Sequence, residues 1–135
     1  MNSLLILLNN SIESGDPDIV EEAVAAAFSV GLQEEHIPAL IHLLELDWHT
    51  RHEDIVRALQ SLKSPKAVDI LYSTAMRNFD YLDYDEDFGL ARKCTWALAD
   101  IGTPDAWQKL QNLARSQNEI IAGYAQKRLD VANSE

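Results

Sequence analysis

The chain has 135 residues, 47% of them hydrophobic and 24% charged, which fits one globular domain able to bury a core without staples. Its 22 acidic and 11 basic residues leave a formal charge of −11; such a surface repels phosphate backbones, so nucleic acid is not an expected partner. No stretch reaches the roughly 18 apolar residues of a membrane-spanning helix, so a membrane is not expected either.

Helical spacing dominates from the start. "LLILL" (residues 4–8) resembles the apolar part of a secretion signal, but it lacks a positive flank because the first Lys or Arg is Arg51. The lone Cys94 rules out an internal disulfide framework and fits a reducing compartment. A cytoplasmic location is the expectation. At "SGDPD" (residues 14–18) Asp16 suits a helix N-cap and Pro17 a first turn. Val20, Val24 and Phe28 then share one stripe, and Gly31 is a plausible stop. Ile37, Leu40, Ile41 and Leu44 mark the next helix, and Ile55, Leu59 and Leu62 the one after. "SPKAVDILYSTA" and "TPDAWQKLQNLA" each open with a hydroxyl cap and a proline. Between them lies "FGLARKCTWALADI", with Leu90, Cys94, Leu98 and Ile101 in register. Asn118 caps a last helix. No strand-type alternation occurs over a useful length. The expectation is an all-α chain of eight helices.

The pattern repeats. A shift of 39 residues lays Ile55, Ala58, Leu59, Pro65, Ala67 and Leu71 on Cys94, Ala97, Leu98, Pro104, Ala106 and Leu110. A shift of 31 lays Leu90, Cys94 and Leu98 on Ile121, Ala125 and Leu129; a shift of 70 lays Val20, Val24 and Phe28 on Leu90, Cys94 and Leu98. The unit reads as helix, tight Ser/Thr-Pro turn, helix. One such pair cannot cover its own apolar face, but stacked neighbours can, and that gives a solenoid.

"RKCTWALADIGTPDAWQKL" (residues 92–110) resembles a HEAT-like repeat of the short bacterial type, also found in the phycobilisome-lyase group. The residues that carry the likeness are Ala91-Arg92, Cys94, Ala97-Leu98, Ile101-Gly102, Thr103, Pro104, Asp105 and Ala106. The unit at residues 62–71 matches more weakly, with Lys63 in the glycine slot, and the first unit lacks the turn proline. The resemblance spans roughly residues 18–130 and implies a single α-α superhelix over 1–135, with the second helices of the pairs on its concave side. Because repeat residues are packing residues, it says little about function.

Function must then be sought in what the repeat does not absorb. Residues 1–50 hold nine acids and no Lys or Arg, whereas 51–135 hold thirteen acids against eleven bases. "NFDYLDYDEDFG" (residues 78–89) adds five acids and four aromatics in twelve residues. Asp83, Asp85 and Asp87 match positions 1, 3 and 5 of a calcium loop, but Phe88 stands where the turn glycine belongs and Cys94 where the bidentate Glu belongs. No nucleophile or base lies beside the carboxylates in sequence, so catalysis is not expected. Residues 78–87 read instead as an insertion between repeats, and insertions on a solenoid gather on one side, often the binding side. Asp80, Tyr81, Asp83, Tyr84, Asp85, Glu86 and Asp87, with Trp48 as an exposed aromatic, are the expected partner contacts; Phe79 and Phe88 are expected in the core. Asp85, Glu86 and Asp87 also suit the N-terminal end of the following helix.

His36, His42, His49 and His52 fall within seventeen residues, and His49-x-x-His52 with Asp47 resembles part of a metal site. Exposed or capping histidines are commoner, and no metal or cofactor is expected. Cys94 lies on the apolar stripe and is expected to be core. The expected activity is therefore binding, not catalysis: an acidic module for a basic protein partner, most concretely an immunity protein that covers a toxin's cationic cleft. The alternative is an adaptor, or a lyase-type or chaperone-like helper of a pigment-bearing protein, which the sequence supports with no bilin-sized pocket.

Overall fold

The computed structural model describes residues 3–134, and among these it is all-helical. Eight α-helices follow in order: α1 (Ser3–Ser14), α2 (Pro17–Val30), α3 (Ile37–Glu45), α4 (His52–Leu62), α5 (Val68–Met76), α6 (Gly89–Ile101), α7 (Pro104–Leu113) and α8 (Glu119–Asn133). Short 3-10 turns at Glu34–His36 and Pro65–Ala67 lead into α3 and α5, and a third, Asp80–Leu82, lies within the insertion.

Local chemistry sets the helix ends. Asp16 accepts from the Asp18 N–H at 2.9 Å, and Pro17 takes the first helical position, where a missing N–H costs nothing. Thr103 accepts from the Ala106 N–H at 3.2 Å ahead of Pro104. Asn118 accepts from the N–H groups of Ile120 and Ile121. Ser64 serves Lys66 in the same way, so the Ser-Pro turn opens as a 3-10 turn before α5 begins. The C-terminal ends of α4 and α6 show the repeat most clearly. Gly102 closes α6 in the left-handed region at φ 68°, and Lys63, its equivalent under the 39-residue shift, closes α4 in the same region at φ 53°. The geometry of the slot persists although its glycine does not.

The helices form two layers. Helices α1, α3, α5 and α7 pack in succession along one layer, and α2, α4, α6 and α8 along the other. Across the layers α1 packs on α2, α3 on α4, α5 on α6 and α7 on α8. One apolar core runs from Leu4 to Ala125 through the stack. Five of the apolar pairs made by the 39-residue shift are buried at both members: Ile55 and Cys94, Ala58 and Ala97, Leu59 and Leu98, Ala67 and Ala106, Leu71 and Leu110. Full burial of each leucine contributes about 1.5–3 kcal/mol.

Three expectations need correction. The helices joined by the Ser-Pro turn, α4 and α5, are not the packed pair; α5 packs most closely on α6, its partner across the long insertion. The tight turn instead carries the chain from one layer to the next pair. Phe28 leaves the core stripe and is 43% exposed, with the Arg57 guanidinium 5.0 Å from its ring centre, while the smaller Ala27 takes the buried position. Trp48 is half-buried rather than exposed, set edge-on to His49 at 5.8 Å.

The layering places the connections on two edges. The Ser64–Ala67 turn meets the α2–α3 connection, where Glu34 faces Ser64 and Lys66. The opposite edge carries the α3–α4 and α5–α6 connections, which touch through His52 and Tyr81. The insertion is on this second edge.

Candidate functional site

The insertion is fastened at four points. First, Arg77 donates to the Leu44 carbonyl at 2.7 Å and lies over the Phe79 ring at 4.5 Å, and Phe79 is buried as expected. Second, the Tyr81 hydroxyl donates to Nδ1 of His52 at 2.7 Å. Third, Asp85 accepts from the N–H groups of Asp87 at 3.0 Å and Gly89 at 2.9 Å. This carboxylate therefore caps the entry to α6, and the Gly89 and Asp87 donors hold its pKa below the usual carboxylate range. Gly89 lets the carboxylate approach, because a Cβ there would meet Asp85 Oδ2 at 3.0 Å. Phe88, half-buried against the core, adopts φ 54° to make the turn. A fourth contact comes from α8, where the Tyr124 hydroxyl donates to the Asp87 carbonyl at 2.6 Å.

His52 and His49 form the base of this arrangement. Both are buried, with rings stacked 4.2 Å apart, and Phe79 lies 4.1 Å from His52. Nε2 of His52 donates to the Leu46 carbonyl at 2.6 Å, and Nε2 of His49 to that of Leu43 at 2.7 Å. Their Nδ1 atoms accept from the Tyr81 hydroxyl and the Arg51 N–H. Each ring is thus a neutral imidazole with both nitrogens used. Burial lowers the pKa of both and brings His52 to about 4, opposed by its carbonyl partner. Burial likewise raises Tyr81 to about 12. Of the other two histidines, His36 is buried and accepts from the Gln33 N–H at 2.9 Å, while His42 is exposed. The ring nitrogens of His49 and His52 thus bond to protein groups, and no group of three potential metal ligands comes together among the described residues.

The expected contact residues therefore divide. Asp80, Asp83, Glu86 and Asp87 are exposed, and Tyr84 is 80% exposed. None of the insertion's five carboxylates takes part in an ion pair among the described residues; Arg51, Arg57, Lys66, Lys93 and Lys109 pair instead with Glu21, Asp54, Glu34, Glu53 and Asp69. Tyr81 is half-buried and anchors the segment, and Asp85 is half-buried and spends its oxygens on the cap. Trp48 lines a shallow groove of about 340 Å³ with Asp47, Asp80 and Tyr81. On the other flank a groove of about 380 Å³ separates the insertion from α5 and α6. Sequence reasoning missed His52, Arg77 and Gly89 as supports. Only the spacing of His49 and His52 hinted at a joint role, and it suggested a different one. Cys94 is fully buried, which raises its thiol pKa and leaves it unreactive.

Comparison with known families, with characterised proteins and with solved structures finds no match.

Proposed function

We propose that this is a non-catalytic, HEAT-like protein-binding module whose acidic edge receives a basic protein. The observation that carries the reading is a fastened segment that holds Asp80, Asp83, Glu86 and Asp87, none of them ion-paired among the described residues, at the surface around the exposed Tyr84. A segment whose backbone is already fastened needs less ordering when it binds, so less of the Coulomb attraction is lost to entropy. The exposed Tyr84 ring supplies a large contact area. The uncompensated acids of the first half extend the same field and steer a cationic partner.

In its most concrete form the protein is a cytoplasmic immunity protein that covers the cationic cleft of a toxin domain, its carboxylates standing where phosphates would bind. Affinity chromatography from the native host tests this, with wild-type protein and an Asp83→Asn, Glu86→Gln, Asp87→Asn variant as baits. The reading expects a basic protein held by wild type at low salt, released as salt rises and not held by the variant. Equal retention on both baits, or retention indifferent to salt, contradicts it.

A further inference from the structure

Within that reading, the groove between the insertion and the α5–α6 junction has features a generic acidic surface lacks. It encloses about 380 Å³. Its lining includes the acidic residues Asp83 and Glu86, the capping Asp85, and the apolar residues Leu82, Phe88 and Leu90. Thr74 also lines it, 1% exposed, and its hydroxyl has no hydrogen-bond partner among the described residues. A buried hydroxyl left unpaired in a helix is costly, and a donor from a ligand would satisfy it. Arg77 also lines the groove; its guanidinium donates to the Leu44 carbonyl, lies over the Phe79 ring and, among the described residues, forms no ion pair with Asp83 or Glu86.

We propose that this groove is a subsite for a single arginine side chain of the basic partner. Charge complementarity and shape argue for arginine. A guanidinium brings five donors in a plane, which suits two carboxylates and a hydroxyl acceptor. Its weak hydration and flat face suit walls of Phe88 and Leu90, and its methylene stem can lie along Leu82. A lysine ammonium would satisfy the charge but not the flat apolar walls.

The test is an amide-resolved NMR titration of the intact chain with acetyl-Gly-Arg-Gly-amide, beside its citrulline and lysine counterparts. The proposal expects weak, saturable binding of the arginine peptide, with shifts concentrated at Thr74, Leu82, Gly89 and Ala91. The citrulline peptide should leave these amides unmoved, the lysine peptide should bind at least threefold more weakly, and Asp83→Asn with Glu86→Gln should weaken arginine binding at least fivefold. Thr74→Val should raise the Tm yet weaken arginine binding, a pairing that a merely structural hydroxyl would not give. Shifts spread evenly over α2 and the insertion, or no saturable shift at all, would overturn the subsite while leaving the salt-dependent retention on the affinity matrix standing. The same amides moving with protein concentration alone would assign the groove to a second copy of the chain and equally overturn it. Loss of salt-dependent retention with the groove shifts intact would instead count against the macromolecular partner.

Discussion

The Tyr81 hydroxyl and Nδ1 of His52, 29 positions apart in sequence, meet at 2.7 Å and join the insertion to the α3–α4 connection. Each partner is half-buried or buried, so neither polar atom can turn to water without moving its element. Tyr81→Phe removes the donor and leaves the His52 nitrogen unpaired, which should cost about 1–3 kcal/mol. Hydrogen exchange should then quicken over residues 80–88 and stay unchanged in α7 and α8. A uniform change along the chain would mean that the bond does not fasten the insertion.

Acid should loosen the same joint. His52 folds with a pKa of about 4 against an ordinary 6.5, and His49 shifts in the same direction. The unfolded chain therefore takes up protons between those values and the folded one does not. The stability is fully present above about pH 6.5 and is lost as pH falls towards 4, by up to about 3 kcal/mol for His52 alone. Around it Arg77 and His49 disfavour the charged ring, and Asp47 favours it. Urea melts from pH 7 to 4 should show this slope, and His52→Leu should flatten it.

The left-handed position at residue 63 gives a prediction of opposite sign to most substitutions. Lys63→Gly places a residue without Cβ at φ 53° and should stabilise by about 0.5–1 kcal/mol. Gly102→Ala, at the equivalent position, should destabilise by about 1 kcal/mol or more. Thermal melts of the two variants check both signs.

Equivalent core positions should respond alike. Leu59→Ala and Leu98→Ala each open a cavity at a fully buried site and should cost about 2–5 kcal/mol. Phe28→Ala, at the position that the same register assigns to the stripe, should cost about 1 kcal/mol or less, because its ring is 43% exposed.

The all-α class, the caps and most of the core were legible because they rest on local rules. Pro17, Pro104 and Asn118 act within three residues of themselves, and the burial of Ile55, Leu59, Cys94 and Leu98 follows from 3.6-residue spacing. What was not legible depends on distant partners. The pairing of α5 with α6 across a ten-residue insertion competes with its pairing to α4, and only the three-dimensional stack decides between them. The burial of His49 and His52 depends on Leu43, Leu46 and Tyr81, which no spacing rule connects. Phe28 misled because a stripe has width, and Ala27 fits the tighter inner position. In the site, the exposed carboxylates could be read from sequence, but which residues support them could not.

The central claim is that the fastened acidic segment is a binding surface for a cationic protein. It is tested most directly by measuring the affinity of the partner recovered from the native host, for wild type and for the Asp83→Asn, Glu86→Gln, Asp87→Asn variant, across a range of salt. The account predicts affinity that falls steeply with salt for wild type, and a variant that binds at least tenfold more weakly with a shallower salt slope. Identical affinity and identical slope for the two proteins would contradict it.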